Sequence, residues 1–173
     1  ISVILSLIAI FVYILARFRN VAFSIGSVLA LTVDTLIIVG MYSICWGWMP
    51  FSLEVDQTFI GAVLTAIGYS INDKVVVFDR IRENLGLYPK RETERLFNDS
   101  LNETLARTIM TSATTLLVLL CIFFLGGDSI RSFAFAMILG VIFGTLSSIF
   151  LAAPIAFRTL GKKRVVEAAV AKA

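Results

Sequence analysis

The sequence predicts an all-α membrane protein, a bundle of five transmembrane helices. Composition and charge placement carry that prediction. Of 173 residues, 58% are hydrophobic and only 16% are charged. Mean hydropathy is +0.93, far from the balance of a soluble domain, so the bilayer is the expected solvent. The charges are also clustered, which leaves five apolar stretches.

The first stretch, residues 1–16, reads "ISVILSLIAIFVYILA". A spanning helix needs ~20 apolar residues, so this one is expected to be truncated, and the chain to be a fragment of something longer. It lacks the basic flank and small-residue cleavage site of a signal peptide. The second span is placed at 21–45 and holds Asp34. The third, at 58–78, holds Asp73 and Lys74. A charged segment, 79–104, follows. Its "ETERLFNDSLNETLAR" sets Leu96, Phe97, Leu101 and Leu105 among charges, the pattern of a cytoplasmic amphipathic helix lying in the interface. The fourth span is placed at 105–126 and the fifth at 132–157. Within the fifth, "GVIFG" from Gly140 to Gly144 spaces two glycines for close helix packing.

Composition also removes function classes. A net charge of +3 is too small to indicate nucleic acid, and the basic residues suit anchoring beside anionic headgroups. Histidine is absent, which removes the commonest metal ligand and the side chain that titrates nearest neutral pH. There is no metal-ligand cluster, no glycine-rich phosphate loop and no nucleophile with a base. The chain reads as a non-enzyme without metal or organic cofactor. Cys45 and Cys121 lie in apolar runs without CxxC spacing and read as buried thiols.

Lysine and arginine placement orients the chain. Arg17 and Arg19 sit in the first loop, six basic residues run from Arg80 to Arg107, and "RTLGKKR" follows the last span. The second and fourth loops hold one basic residue, Arg131. The positive-inside rule puts the first loop, third loop and C-terminus in the cytoplasm. Trp46 and Trp48 then fall at the opposite interface, as an aromatic belt would.

A carboxylate near the bilayer centre costs ~2.5–3.5 kcal/mol, so each needs a reason. Asp34 lies ~17 Å from Cys45 at helical rise, close to the midplane. Asp73 lies ~21 Å beyond Phe59, in the cytoplasmic half, and Arg107 lies ~27 Å before Leu125. The last two are about one helical turn apart in depth on consecutive spans, within reach of an arginine side chain if the helices pack. Tyr69 and Ser70 share the face of Asp73. Thr111, Thr114 and Thr115 follow Arg107 at helical spacing and continue a polar stripe. The stripe reads as a cavity wetted from the cytoplasm, or alternatively as interhelical hydrogen bonding without a transport role. Lys74 is expected to snorkel to the cytoplasmic interface.

These residues sit in longer motifs. "GYSINDKVVVFDRIREN" (68–84), "LNETLARTIMTSATTLLVLL" (101–120), "LGGDSIRSFAFAMILGVIFGTLSSIFLAAPI" (125–155) and "ALTVDTLIIVG" (30–40) resemble the SecF subunit of the bacterial SecDF protein-export accessory, of the RND superfamily. The resemblance covers nearly the whole chain. It implies half of a pseudo-symmetric transmembrane domain, completed by SecD or a fused SecD-like half, in the bacterial inner membrane beside SecYEG. It also implies proton flow as the coupling ion for movement of exported preproteins, with the family's aspartate and arginine falling on Asp73 and Arg107. Asp34 matches an acidic position on the preceding helix. Val33 stands where many relatives have histidine, and Lys74 where many have a small hydroxyl residue. Two other readings stay open: half of a different RND-type permease, and a non-transporting translocon scaffold.

The orientation has a direct test. Single cysteines at Ser52 and Ser129, in a background lacking Cys45 and Cys121, should react with impermeant maleimide from outside intact cells. One at Glu92 should not, and labelling there would reverse the topology.

Overall fold

Short polar signals at the turns set where each helix begins and ends. In the computed structural model, which describes residues 2–18, 20–48, 53, 55–89 and 91–170, Asn20 caps the second helix by accepting the Ala22 N–H at 3.0 Å. Asp56 caps the third by accepting the Phe59 N–H at 2.8 Å. That bond is the main reason its carboxyl lies below the usual carboxylate range. Gly47 ends the second helix with φ at 86°, a left-handed turn that favours glycine. Arg19, Lys90, residues 49–52 and Glu54, assigned to loops above, lie outside the described residues.

The elements are α1 (Ser2–Phe18), α2 (Val21–Cys45), α3 (Gln57–Leu87), α4 (Thr93–Leu125), α5 (Asp128–Ser147), a π-helical turn (Ser148–Ala152) and α6 (Ala153–Val170). Among the described residues, four stretches are long and apolar enough to cross a membrane: α2, α3, α4 and the run Ile130–Gly161. At 17 residues, α1 is shorter than a full span. The π turn has an identifiable cause. Pro154 has no N–H, so the carbonyl one turn earlier loses its helical donor and the backbone rearranges.

The chain forms two compact units, and α2, α3 and α4 contribute residues to both. One unit comprises Ile1–Ala30, Lys74–Leu105 and Ser148–Ala173. Phe18, Phe23 and Phe78 cluster in its core with centroids 4.9 to 6.2 Å apart. Phe97 packs edge-on against Phe157 at 5.4 Å.

In this unit the charged segment 79–104 departs from expectation. It is not a separate interfacial helix. Its first part extends α3 to Leu87 and its second opens α4, with a turn between. Arg80 joins Glu83 at 2.7 Å and Glu103 at 2.5 Å. Asn84 donates to Ser100 at 2.8 Å, which fixes the two helix ends together. Leu96 and Phe97 are buried against protein rather than laid on lipid. Lys74 does not snorkel either: its side chain is 0% exposed. It shares a helical face with Val77, Phe78 and Ile81, all buried in the same core, so the phase of α3 turns it inward.

The second unit comprises Leu31–Asp73 and Ala106–Ser147. Ile38, Tyr42, Phe59, Ala66, Met137 and Val141 are among its core residues. The Tyr42 and Ser132 hydroxyls hydrogen-bond to one another. Gly140 lies directly against Ala66, and a methyl at Gly144 would sit 2.9 Å from Ser70. The two glycines and the small pair Ala66 and Ser70 let α3 and α5 approach at backbone distance. Cys45 is half-buried and Cys121 exposed, so neither is the fully buried thiol expected. Much of α4 faces outward, and Cys121 lies on that side.

The α3–α5 contact predicts opposite outcomes for two glycines. Gly140→Ala gains ~1 kcal/mol of helix propensity but forces apart a full contact, at a cost of ~1–3 kcal/mol. A methyl added at Gly40 would meet nothing within 4 Å, so Gly40→Ala should be neutral or stabilising. Thermal unfolding in detergent should separate the two variants, with only Gly140→Ala melting below wild type.

Candidate functional site

The second unit gathers its polar side chains around the α3–α5 contact. Asp34 on α2 is 2% exposed, Ser70 on α3 is 1%, and Asp73, one turn on, is 3%. A carboxylate so placed requires donors, because burial without them costs several kcal/mol. Ser70 donates to Asp34 Oδ2 at 2.7 Å. Thr145 on α5 donates to Asp73 Oδ2 at 3.1 Å. The Thr145 hydroxyl also meets that of Ser112 on α4 at 2.7 Å. Tyr69 on α3 donates to Ser112 at 3.4 Å.

The local sequence explains this convergence. Ser70 follows Ala66 at helical spacing, and Gly144 follows Gly140 at the same spacing. The pairs stack, so Ser70 presses its Cβ toward Gly144 while its hydroxyl reaches Asp34. One residue after Gly144, Thr145 meets Asp73. Four helices thus supply one polar layer: α2 with Asp34, α3 with Tyr69, Ser70 and Asp73, α4 with Ser112, and α5 with Thr145, of which Tyr69 and Thr145 are half-buried.

Arg107 is placed otherwise. It is exposed on α4, and among the described residues no ion pair joins it to Asp73. Depth and reach allowed the pair, but helix phase decides. Thr104, Thr108, Ser112 and Leu119 form the buried face of α4, and Arg107 lies about 100° from Thr108 around the axis. Thr111 and Thr114 lie exposed with Arg107 on the outer side, and Thr115 is half-buried beside the inner row. Each hydroxyl bonds back to its own helix, Thr111 to the Arg107 carbonyl at 2.8 Å, Thr114 to Met110 at 3.0 Å and Thr115 to Thr111 at 2.9 Å.

Sequence reasoning therefore missed Ser112 and Thr145. The signal for Ser112 was its spacing of four from Thr108, a second polar row beside the one chosen. For Thr145 it was adjacency to Gly144, where a short helix separation brings a neighbouring side chain close. Among the described residues no group of three or more His, Cys, Asp or Glu could hold a metal ion. The arrangement can instead hold a proton on a buried carboxylate and connect that carboxylate to neighbouring hydroxyls.

The chain as a whole is similar to known proteins. The family described as "Protein export membrane protein SecD/SecF, C-terminal" matches residues 1–162. A protein translocase subunit SecF of Rhodothermus marinus is 53% identical over 154 residues, covering 89% of this chain and 50% of the relative. One from Petrotoga mobilis is 42% identical, covering 97% and 53%. The chain thus spans about half the length of these relatives. Among solved structures, SecDF in its super-membrane-facing form aligns with a TM-score of 0.86 at 41% identity, over 97% of this chain and 22% of that one. SecDF from Thermus thermophilus, described as a translocon-associated membrane protein, aligns at 0.77 and 42% identity, over 87% and 20%.

Proposed function

Because the chain belongs to the SecD/SecF C-terminal family of protein-export membrane proteins, we propose that it serves Sec protein translocation as an accessory driven by the proton-motive force. It acts in the bacterial inner membrane as a multi-pass segment with its C-terminus in the cytoplasm. Its partners are SecD or a fused SecD-like half, the SecYEG translocon and the preproteins being exported. It makes and breaks no covalent bond of a substrate, and the proton is its only coupling ion.

The observation that carries this reading is Asp73, a 3% exposed carboxylate held by a hydroxyl within an apolar bundle. An intramembrane acid is costly to retain unless its protonation is used. When ionised, Asp73 is a negative charge in low dielectric that depends on the donors around it. When protonated, it needs fewer, and the contacts around it can rearrange. Arg107 is the cation it meets in the other arrangement of the cycle, which requires α4 to turn the guanidinium inward. One proton falling through ~100 mV supplies ~2.3 kcal/mol. That biases a two-state packing by more than about tenfold.

The outward face of α4 supports a second half. A guanidinium and threonine row facing hydrocarbon is unfavourable, so a protein or aqueous surface suits it better. The resemblance to SecDF, whose chain extends well beyond the aligned segment, points to SecD as that surface.

The test is export of a reporter with and without an imposed proton gradient, at matched expression. Asp73→Asn keeps shape and removes titration, so it should abolish the gradient response while leaving the protein inserted. Arg107→Ala should inactivate as well, because the ionised carboxylate loses its counter-charge. Asp34→Asn should have the smaller effect. A full gradient response in Asp73→Asn would leave the carboxylate a structural group and favour the scaffold reading.

A further inference from the structure

We infer that Tyr69, Ser112 and Thr145 form a directional hydroxyl relay that delivers the proton to Asp73. The inference rests on the reading of Asp73 as the protonated group and adds the path by which the proton reaches it.

Donor accounting gives the relay its direction. A hydroxyl has one hydrogen to donate and can accept as well. Thr145 spends its hydrogen on Asp73 Oδ2, 3.1 Å away. Its 2.7 Å contact with Ser112 must then be one in which Ser112 donates. Ser112 in turn accepts from the Tyr69 phenol at 3.4 Å. With Asp73 ionised, the three bonds point the same way, from Tyr69 through Ser112 and Thr145 to the carboxylate. The order crosses three helices, α3 to α4 to α5 and back to α3, so it is a product of packing and not of any one helix.

Transfer along the chain balances without a further reactant. The Thr145 hydrogen moves to Asp73, the Ser112 hydrogen to Thr145 and the Tyr69 hydrogen to Ser112. The Tyr69 oxygen takes a proton from outside the relay, and every bond then points in reverse. One proton enters and one carboxylate is neutralised. Ser112 and Asp73 are buried, whereas Tyr69 and Thr145 are both half-buried, so Tyr69 can meet water and its depth rather than its exposure makes it the entry. Tyr69 also lies about one turn before Asp73 on α3, nearer the outer end in the proposed orientation. Protons driven inward reach it first.

The experiment compares Tyr69→Phe, Ser112→Ala and Ser112→Thr with wild type and Asp73→Asn, in the assembled translocation machinery reconstituted in vesicles. Proton uptake and reporter export are followed with and without an imposed gradient, alongside thermal unfolding. Tyr69→Phe and Ser112→Ala should each cut the gradient-dependent rates by about tenfold. That is less than the ~10²-fold lost with a positioned acid or base, because water can replace one hydroxyl. Ser112→Thr restores a hydroxyl and should recover most of the rate. Wild type should slow in D2O. Full gradient response in Ser112→Ala, with none in Asp73→Asn, would overturn the relay and leave the Asp73 reading standing. Loss in Ser112→Ala that is equal without a gradient, or that follows a lowered melting temperature, would reduce Ser112 to a structural contact. Full response in Asp73→Asn as well would remove both proposals together.

Discussion

Without the close approach of α3 to α5, the Thr145 hydroxyl would not reach Asp73. Gly140 against Ala66 and Gly144 against Ser70 remove the side-chain volume that normally separates two helices. At that separation a serine or threonine hydroxyl, too short to cross an ordinary helix interface, reaches a neighbouring carboxylate. Thr145 then meets Asp73 across that contact, while Ser70 meets Asp34 on α2. Each of the two buried acids has a hydroxyl aimed at it, which helps an apolar bundle tolerate them.

Parts of this are legible in the sequence because they rest on cost. An aspartate inside an apolar run stands out, so composition and depth are enough to find Asp34 and Asp73. The Gly140–Gly144 spacing has one plain use in a membrane helix, and close packing is where the structure puts it. What stays illegible depends on rotation about a helix axis. Depth along α4 puts Arg107 near Asp73, yet the phase of the helix turns Arg107 outward and Ser112 inward. A helix with polar residues on two adjacent rows does not declare which row is buried. The same ambiguity misplaces Lys74, whose neighbours Val77, Phe78 and Ile81 decide its direction.

Length is the other blind spot. The stretch from Asp79 to Thr104 looks amphipathic and separate when read by charge alone. In three dimensions it is the end of one long helix and the start of another, joined through Arg80, Glu103, Asn84 and Ser100. Charges within helices that extend past the apolar run do not mark helix ends. Pro154 is similarly silent about its consequence, because a proline in an apolar run can kink, end or locally widen a helix. The π turn before it is the outcome this packing selects.

Asp73 has its central role only if it exchanges a proton as the gradient is applied. Infrared difference spectroscopy on the reconstituted assembly reads this at the carboxyl itself. Imposing the gradient should produce a protonated-carboxyl C=O band in wild type that persists in Asp34→Asn and disappears in Asp73→Asn. No carboxyl band on applying the gradient, or a band that survives Asp73→Asn unchanged, would contradict that role.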